Sequence, residues 1–308
     1  MLKRILVTVG VLLLALILGG AWWVRRNDQY PDASYATSVA RPAYPPGAGP
    51  RVAIDAAHHN FHTADKRYQP FAALLTSDGY RVSANDRDFS RDALAGVEVL
   101  VVATALGAPL PQLPSAKEPA FSDLECDAVR DWVRAGGTLL LIADHAPASL
   151  AAQRLAQRFG VELGVGRTAD TAHMVPAQRN PTWVVFEAAA RLLGDHPILR
   201  GRDSLETIHR VAAFTGQSMT VPSGAAVLLA LSPTAQDWMP DGRDVPATGR
   251  AMAIALPFGN GRVVMAGEAA MFTAQVVGGS FRYGMNWPDT DDKQFALNVV
   301  HWLSGALH

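Results

Sequence analysis

The chain has one cysteine in 308 residues, Cys126, so no disulfide can form within it. A chain this long can bury a sizeable core without cross-links, and the count leaves the redox compartment open. Charge of one sign is also scarce, with 27 basic residues against 28 acidic ones. There is no Lys/Arg-rich run and no basic stripe interleaved with aromatics, which argues against a nucleic-acid partner. Several catalytic signatures are missing as well. No GxSxG elbow is present, which weighs against a serine enzyme of the α/β-hydrolase type. GVGRTAD and GNGRVV are glycine-rich but fit neither GxGxxG nor GxxxxGK[ST], and no histidine spacing matches HExxH. No internal repeat or long low-complexity tract is found.

Apolar residues, at 49% of the chain, carry most of the pattern. The stretch MLKRILVTVGVLLLALILGGAWWVRR sets Lys3 and Arg4 before an uncharged run from Ile5 to Val24, with Trp22, Trp23, Arg25 and Arg26 after it. Twenty residues at about 1.5 Å each span roughly the 30 Å hydrocarbon core. Residues 1–26 are therefore expected to be a membrane anchor, in contact with the bilayer through 5–24. A cleaved signal peptide ending near Gly19-Gly20-Ala21 is the other reading. The charge flanks favour a single-pass inner-membrane protein with its body outside the cytoplasm. Residues 27–50 carry five prolines and no sustained apolar period, so they are expected to be a tether, with the folded body at 51–308.

From Arg51 onward, short apolar runs alternate with helical periods. RVAID, YRVSA, VEVLVVATA and TLLLIAD predict buried strands. DKRYQPFAALLTSDG, the segment opened by the Ser122/Glu125 capping box, and SLAAQRLAQRFG predict helices. This alternation implies an α/β fold, three-layer with a mostly parallel, flavodoxin-like sheet. A β-richer C-terminal part follows, with TWVVFE, IHRVAAF and AAVLLALS as strands, AMAIALPFGNGRVVMAG as a hairpin and a closing helix near Asp292 to Leu303.

Ligands of parallel sheets bind beyond the carboxyl ends of the strands. That rule brings together Asp55, His58, His59, Asn60 and His62 after the first strand, Thr104 after the third, Asp144 and His145 after the fourth, and Glu268 after the hairpin. Imidazoles with carboxylates can hold a divalent ion such as Zn²⁺ and leave a position for water. The expected metal set is His59, His62, Asp144 and His145, with Glu268, Asp144 and His145 as catalytic groups. Asp55, His58, Asn60 and Thr104 are candidates for ligand binding. Helix capping and packing account for the same residue types without a site. Cys126, on a helical period with Leu124, Val129 and Trp132, reads as a packed side chain.

The segments RVAIDAAHHNFHT, FSDLECDAVRDWVRAGGTLLLIADHAP, GNGRVVMAGEAAMFTAQ and DDKQFALNVVHWLSG resemble the class I glutamine amidotransferase-like domains. More narrowly, they resemble bacterial proteins related to the auxiliary periplasmic domains of gliding-motility-type ABC transporters. The resemblance implies an amidotransferase-like fold. It does not carry that activity, because Asp144 is followed by His145-Ala146-Pro147 where a cysteine elbow is needed. The expected function is recognition or processing of a small polar ligand, such as a sugar or envelope component. The alternatives are an interaction module of a membrane complex and a metal-assisted hydrolase.

Overall fold

The computed structural model describes residues 19–20, 29–175 and 178–308. Seven strands make the central sheet: β1 (Arg51–Asp55), β2 (Arg81–Asn85), β3 (Val99–Ala103), β4 (Thr138–Ile142), β5 (Ala226–Ala230), β6 (Ala251–Phe258) and β7 (Gly261–Ala266). They run in the order β2-β1-β3-β4-β7-β6-β5. The pairings from β2 across to β7 are parallel, and the last two are antiparallel. The helices are α1 (Gln69–Ser77), α2 (Asp123–Arg134), α3 (Ala148–Gln157), the single turn α4 (Pro197–Arg200) and α5 (Asp292–Ser304).

The strands are apolar on both faces because both faces are covered. In β4, Leu140 and Ile142 join one core cluster with α1 and α5, while Leu139 and Leu141 join another with α2 and α3. The period-2 alternation of strand side chains divides each run between the two clusters. The α2 start was legible from its cap. The Ser122 hydroxyl accepts from the Glu125 amide, and the Glu125 carboxylate accepts from the Ser122 amide.

The expected three-layer, mostly parallel flavodoxin-like fold is not what forms. The sheet is mixed, and eight further strands outside it build three small sheets whose pairings are all antiparallel. Two of them, Trp183–Glu187 and Arg210–Phe214, are the expected TWVVFE and IHRVAAF strands, paired with each other. The cause lies in the connections. A parallel neighbour needs a crossover of about a dozen residues or more. β6 and β7 are joined only by Gly259-Asn260, so the hairpin turns the sheet antiparallel from that point on.

Two further expectations are corrected. Among the described residues no helix is long and apolar enough to cross a membrane, which overturns the transmembrane, signal-anchor and single-pass inner-membrane reading. That reading rested on hydropathy and flanking charge alone, and its span at 5–24 lies outside the described residues apart from Gly19 and Gly20. Residues 29–50, expected as a tether, lie against the body instead. Gln29–Pro31 pairs with Ala274–Val277, buried Asp32 accepts from Arg282 and Asn286 at 2.9 Å each, and Tyr35, Val39 and Tyr44 pack on the core. Such a strap docks by isolated side chains, so it leaves no apolar period to read.

At the other end of the strap, the Asp78 carboxylate caps the packing of three segments. It accepts from the Ala43 amide at 2.8 Å and meets His301 Nε2 of α5 at 2.6 Å, with both side chains fully buried. Removing either partner strands the other in a dry core. Asp78→Ala and His301→Ala are each expected to lower the unfolding free energy by about 3 kcal/mol in urea titrations. The double variant should cost much less than the sum, and strict additivity would show the pair to be uncoupled.

Candidate functional site

The parallel strands β1, β3, β4 and β7 all end at one sheet edge, where the next residues wall a cavity of about 240 Å³. His62, Thr104, Asp144, His145 and Glu268 line it, with Phe61, Phe214, Gln275 and Tyr283. Thr104 and Asp144, each just past a strand end, hold left-handed backbone at φ 47° and φ 60°. For a β-branched residue such as Thr104 this conformation is costly and persists only where the surroundings impose it. The Thr104 amide donates to Ile142 O and its carbonyl accepts from the Phe61 amide, so the strand edge fixes it from both sides. Close backbone approach holds Glu268 in turn. A Cβ on Gly267 would lie 2.0 Å from the Gln217 carbonyl oxygen, and one on Gly216 would lie 2.8 Å from Glu268 Cβ.

Glu268 is 1% exposed and accepts from the Ala270 and Met271 amides at 2.7 and 2.8 Å. Burial and the nearby Asp144 charge outweigh those donors and push its carboxyl up to about 8. Burial also raises Asp144, opposed by His145, by the amides of His145 and Ala269 and by the Arg167 charge. Burial and the Asp144 charge together keep a proton on Glu268, the more deeply buried of the two, near neutral pH. Asp144 is 18% exposed on the cavity side.

His62 is a neutral imidazole, because burial and the Arg67 charge push it down to about 3. Gln275 Nε2 lies 3.4 Å from His62 Nε2, and Gln275 Oε1 accepts from the Tyr283 hydroxyl at 3.2 Å. The amide nitrogen therefore donates to Nε2, which leaves the proton on Nδ1 to donate to Thr104 Oγ1 at 2.7 Å. The Thr104 hydroxyl proton is then left for another acceptor. His145 stands at the rim, about one-third exposed. Its Nδ1 donates to Ala146 O at 2.9 Å, and its Nε2 is 3.7 Å from Asp144 Oδ1.

The rest of the histidine cluster faces elsewhere. His58 turns away from the cavity into a pocket of Phe89 and Phe121, its Nδ1 2.9 Å from Asp55 and its Nε2 2.8 Å from Glu125. Burial disfavours its charged form, but the two carboxylates prevail and its pKa is raised. Asn60 braces the same loop, accepting from the His58 amide and donating to Ala103 O. His59 is exposed at φ 50°. Thus Asp55, His58, His59 and Asn60 do not line the cavity, whereas His62, Thr104, Asp144, His145 and Glu268 do. The expected metal set does not converge either. Among the described residues the one grouping with ligand atoms within 4.8 Å of one another is His58, Asp88 and Glu125, and it shares no member with that set.

Phe61, Phe214, Gln275 and Tyr283 were not foreseen. They are neutral, and three of them stand on antiparallel strands that the parallel-sheet rule does not cover. Cys126 is buried on α2 in the core, its thiol pushed up to about 11 by burial, and it is not among the cavity's lining residues.

No protein-family model matches the chain, and no curated protein matches it. Among solved structures it is similar to the mmIFT52 N-terminal domain, with a TM-score of 0.58 and 13% identity over 82% of this chain and 97% of that one. A ThuA-like protein from Bacteroides uniformis gives a TM-score of 0.42 at 13% identity, over 88% of this chain and 94% of that one. A Thermoplasma acidophilum protein, provisionally named as a GMP synthase component, gives 0.38 at 11%, over 82% and 96%. The first likeness shows a shared fold and nothing beyond it. The other two, at scores below 0.5, carry no argument about fold or function.

The raised Glu268 pKa has a consequence for stability. Its folded value of about 8 lies above the ordinary 4.5, so the folded state binds the extra proton between those limits. The stability this confers is complete below pH 4.5 and is lost as pH rises through about 8. Urea titrations are expected to show the wild-type protein losing on the order of 3 kcal/mol across this window relative to Glu268→Gln. Parallel pH profiles for the two proteins would show that Glu268 is ionised in the folded state at neutral pH.

Proposed function

We propose that the cavity at the strand ends binds a hydroxyl-rich, carbohydrate-like group. The observation that carries this is the convergence of Asp144 and Glu268 with His62, Thr104 and Gln275 on a single cavity walled by Phe61, Phe214 and Tyr283. An ionised carboxylate accepts paired hydroxyl donors, and neutral imidazole, hydroxyl and amide groups supply both donors and acceptors. Aromatic faces cover the apolar C–H side of a sugar ring. Among the described residues neither lysine nor arginine lines this cavity, so an anion placed wholly within it would meet the carboxyl pair without a cation in the wall.

One further observation favours hydrolysis as a second reading. Glu268, held protonated by burial and by the Asp144 charge, is placed to give a proton, and Asp144 stands beside it at the more open side of the cavity, an arrangement suited to acid–base chemistry. An interaction module akin to the auxiliary domains of gliding-motility-type transporters is the competing reading. It requires no convergence of carboxyl groups on a cavity, and that convergence is what favours ligand binding. Glutamine hydrolysis through a cysteine is not part of the proposal.

Calorimetric titration with a panel of neutral mono- and disaccharides tests the reading. At least one sugar is expected to bind, with Asp144→Asn weakening it tenfold or more while the variant stays folded, a change of about 1.4 kcal/mol. Absence of binding across the panel, or equal affinity in the variant, would overturn it. Release of reducing ends from the disaccharides, abolished in Glu268→Gln, would establish the hydrolytic reading.

A further inference from the structure

A second cavity of about 510 Å³ adjoins the first, and the two have His145 and Pro147 as common walls. Its chemistry is the reverse. Lys117, Arg167, Trp238 and Met239 line it, and among the described residues no acidic side chain does. Arg167 and Trp238 are placed there by strand register. Arg167–Ala169 pairs antiparallel with Gln236–Trp238, with Arg167 directly opposite Trp238, so both side chains stand on one face of the ribbon. On the other face Thr168 and Asp237 are buried and hydrogen-bonded to each other at 2.6 Å, which fixes that register. Lys117 comes from the turn Pro114–Lys117. Lys117 and Arg167 are both exposed, and neither forms an ion pair among the described residues. Two exposed cations, neither in a close ion pair although the Arg167 charge reaches Asp144, stand beside a 39% exposed tryptophan and can take an anion and a flat or apolar surface.

We infer that the two cavities form one elongated site for an anionic polyhydroxy compound. Its hydroxyl-bearing part occupies the Asp144/Glu268 cavity, and its phosphate or carboxylate lies between Lys117 and Arg167 against the Trp238 ring. His145 stands at the junction. Its Nδ1 is committed to Ala146 O, its Nε2 lies 3.7 Å from Asp144 Oδ1, and the side chain borders both cavities. The arrangement separates charge by sign. The carboxyl pair repels an anion from one end, and the cations attract it to the other, so a ligand of this kind has one orientation. This inference rests on the sugar-binding reading of the first cavity.

The test uses the full chain and titrates neutral monosaccharides, their 6-phosphates, the corresponding uronates and inorganic phosphate at low and high salt. A sugar phosphate or a uronate is expected to bind at least tenfold more tightly than its neutral parent at low salt. The advantage should shrink at high salt, because the cations are exposed. It should vanish in Lys117→Ala/Arg167→Ala, while that variant keeps the parent's affinity for the neutral sugar. Whether the phosphate or the uronate series gains identifies the anion. Equal affinity for neutral and anionic sugars would overturn the joined site and leave the first cavity's sugar binding standing. Binding of inorganic phosphate with no sugar bound in either series would overturn the sugar reading and the joined site together.

Discussion

Two carboxyl groups, Asp144 and Glu268, face one cavity, and burial with the charge of the first keeps a proton on the second near neutral pH. Bringing Asp144 and Glu268 together costs free energy that neither would incur alone, since burial raises both and each charge opposes the other. The surrounding structure holds them there regardless. Left-handed backbone at Thr104 and Asp144 re-aims side chains at the strand ends, and the crossing of Gly267 with Gln217 leaves Glu268 no room to retreat. A fold that maintains an unfavourable pair so rigidly is using stability supplied elsewhere. The two core clusters on the sheet faces and the buried Asp78–His301 contact are where that stability resides.

The cavity works as a unit because its neutral groups are oriented as firmly as its charged ones. The chain Tyr283–Gln275–His62–Thr104 sets the imidazole tautomer and leaves a hydroxyl proton to donate. These residues come from the strand-end loops and from the small antiparallel sheet that the strap Gln29–Pro31 completes. The strap therefore lies structurally behind the site. The sign reversal between the first cavity and the Lys117/Arg167 cleft then gives the whole surface a direction.

Much of this was legible from residues and much was not. The strands RVAID and TLLLI, the Ser122 cap and the hairpin through Gly259-Asn260 follow from apolar runs and turn chemistry. The rule that sites form at parallel strand ends located Asp144 and Glu268, some 120 residues apart, on one edge. Turn chemistry announced the β6–β7 hairpin, but periodicity could not show that it joins the parallel sheet at β4 and makes that sheet mixed, because a buried antiparallel strand and a buried parallel one are equally apolar. Nor could it separate His62, which enters the cavity, from His58, which turns to Asp55 and Glu125 four residues earlier. That choice is made by the irregular loop between them and by the Phe89/Phe121 pocket. Gln275 and Tyr283 carry no charge and no motif, so only their position marks them. Hydropathy alone suggested a membrane span that no helix among the described residues supplies.

The proton held by the carboxyl pair is central to the site, and carbon-13 NMR titration of the side-chain carboxyls measures it directly. One carboxyl signal, absent from Glu268→Gln, is expected to titrate near pH 8, with the Asp144 signal shifting in the same step. If every carboxyl in the folded protein instead titrates below about pH 5, as unperturbed groups do, Glu268 does not hold a proton at neutral pH and the central claim fails.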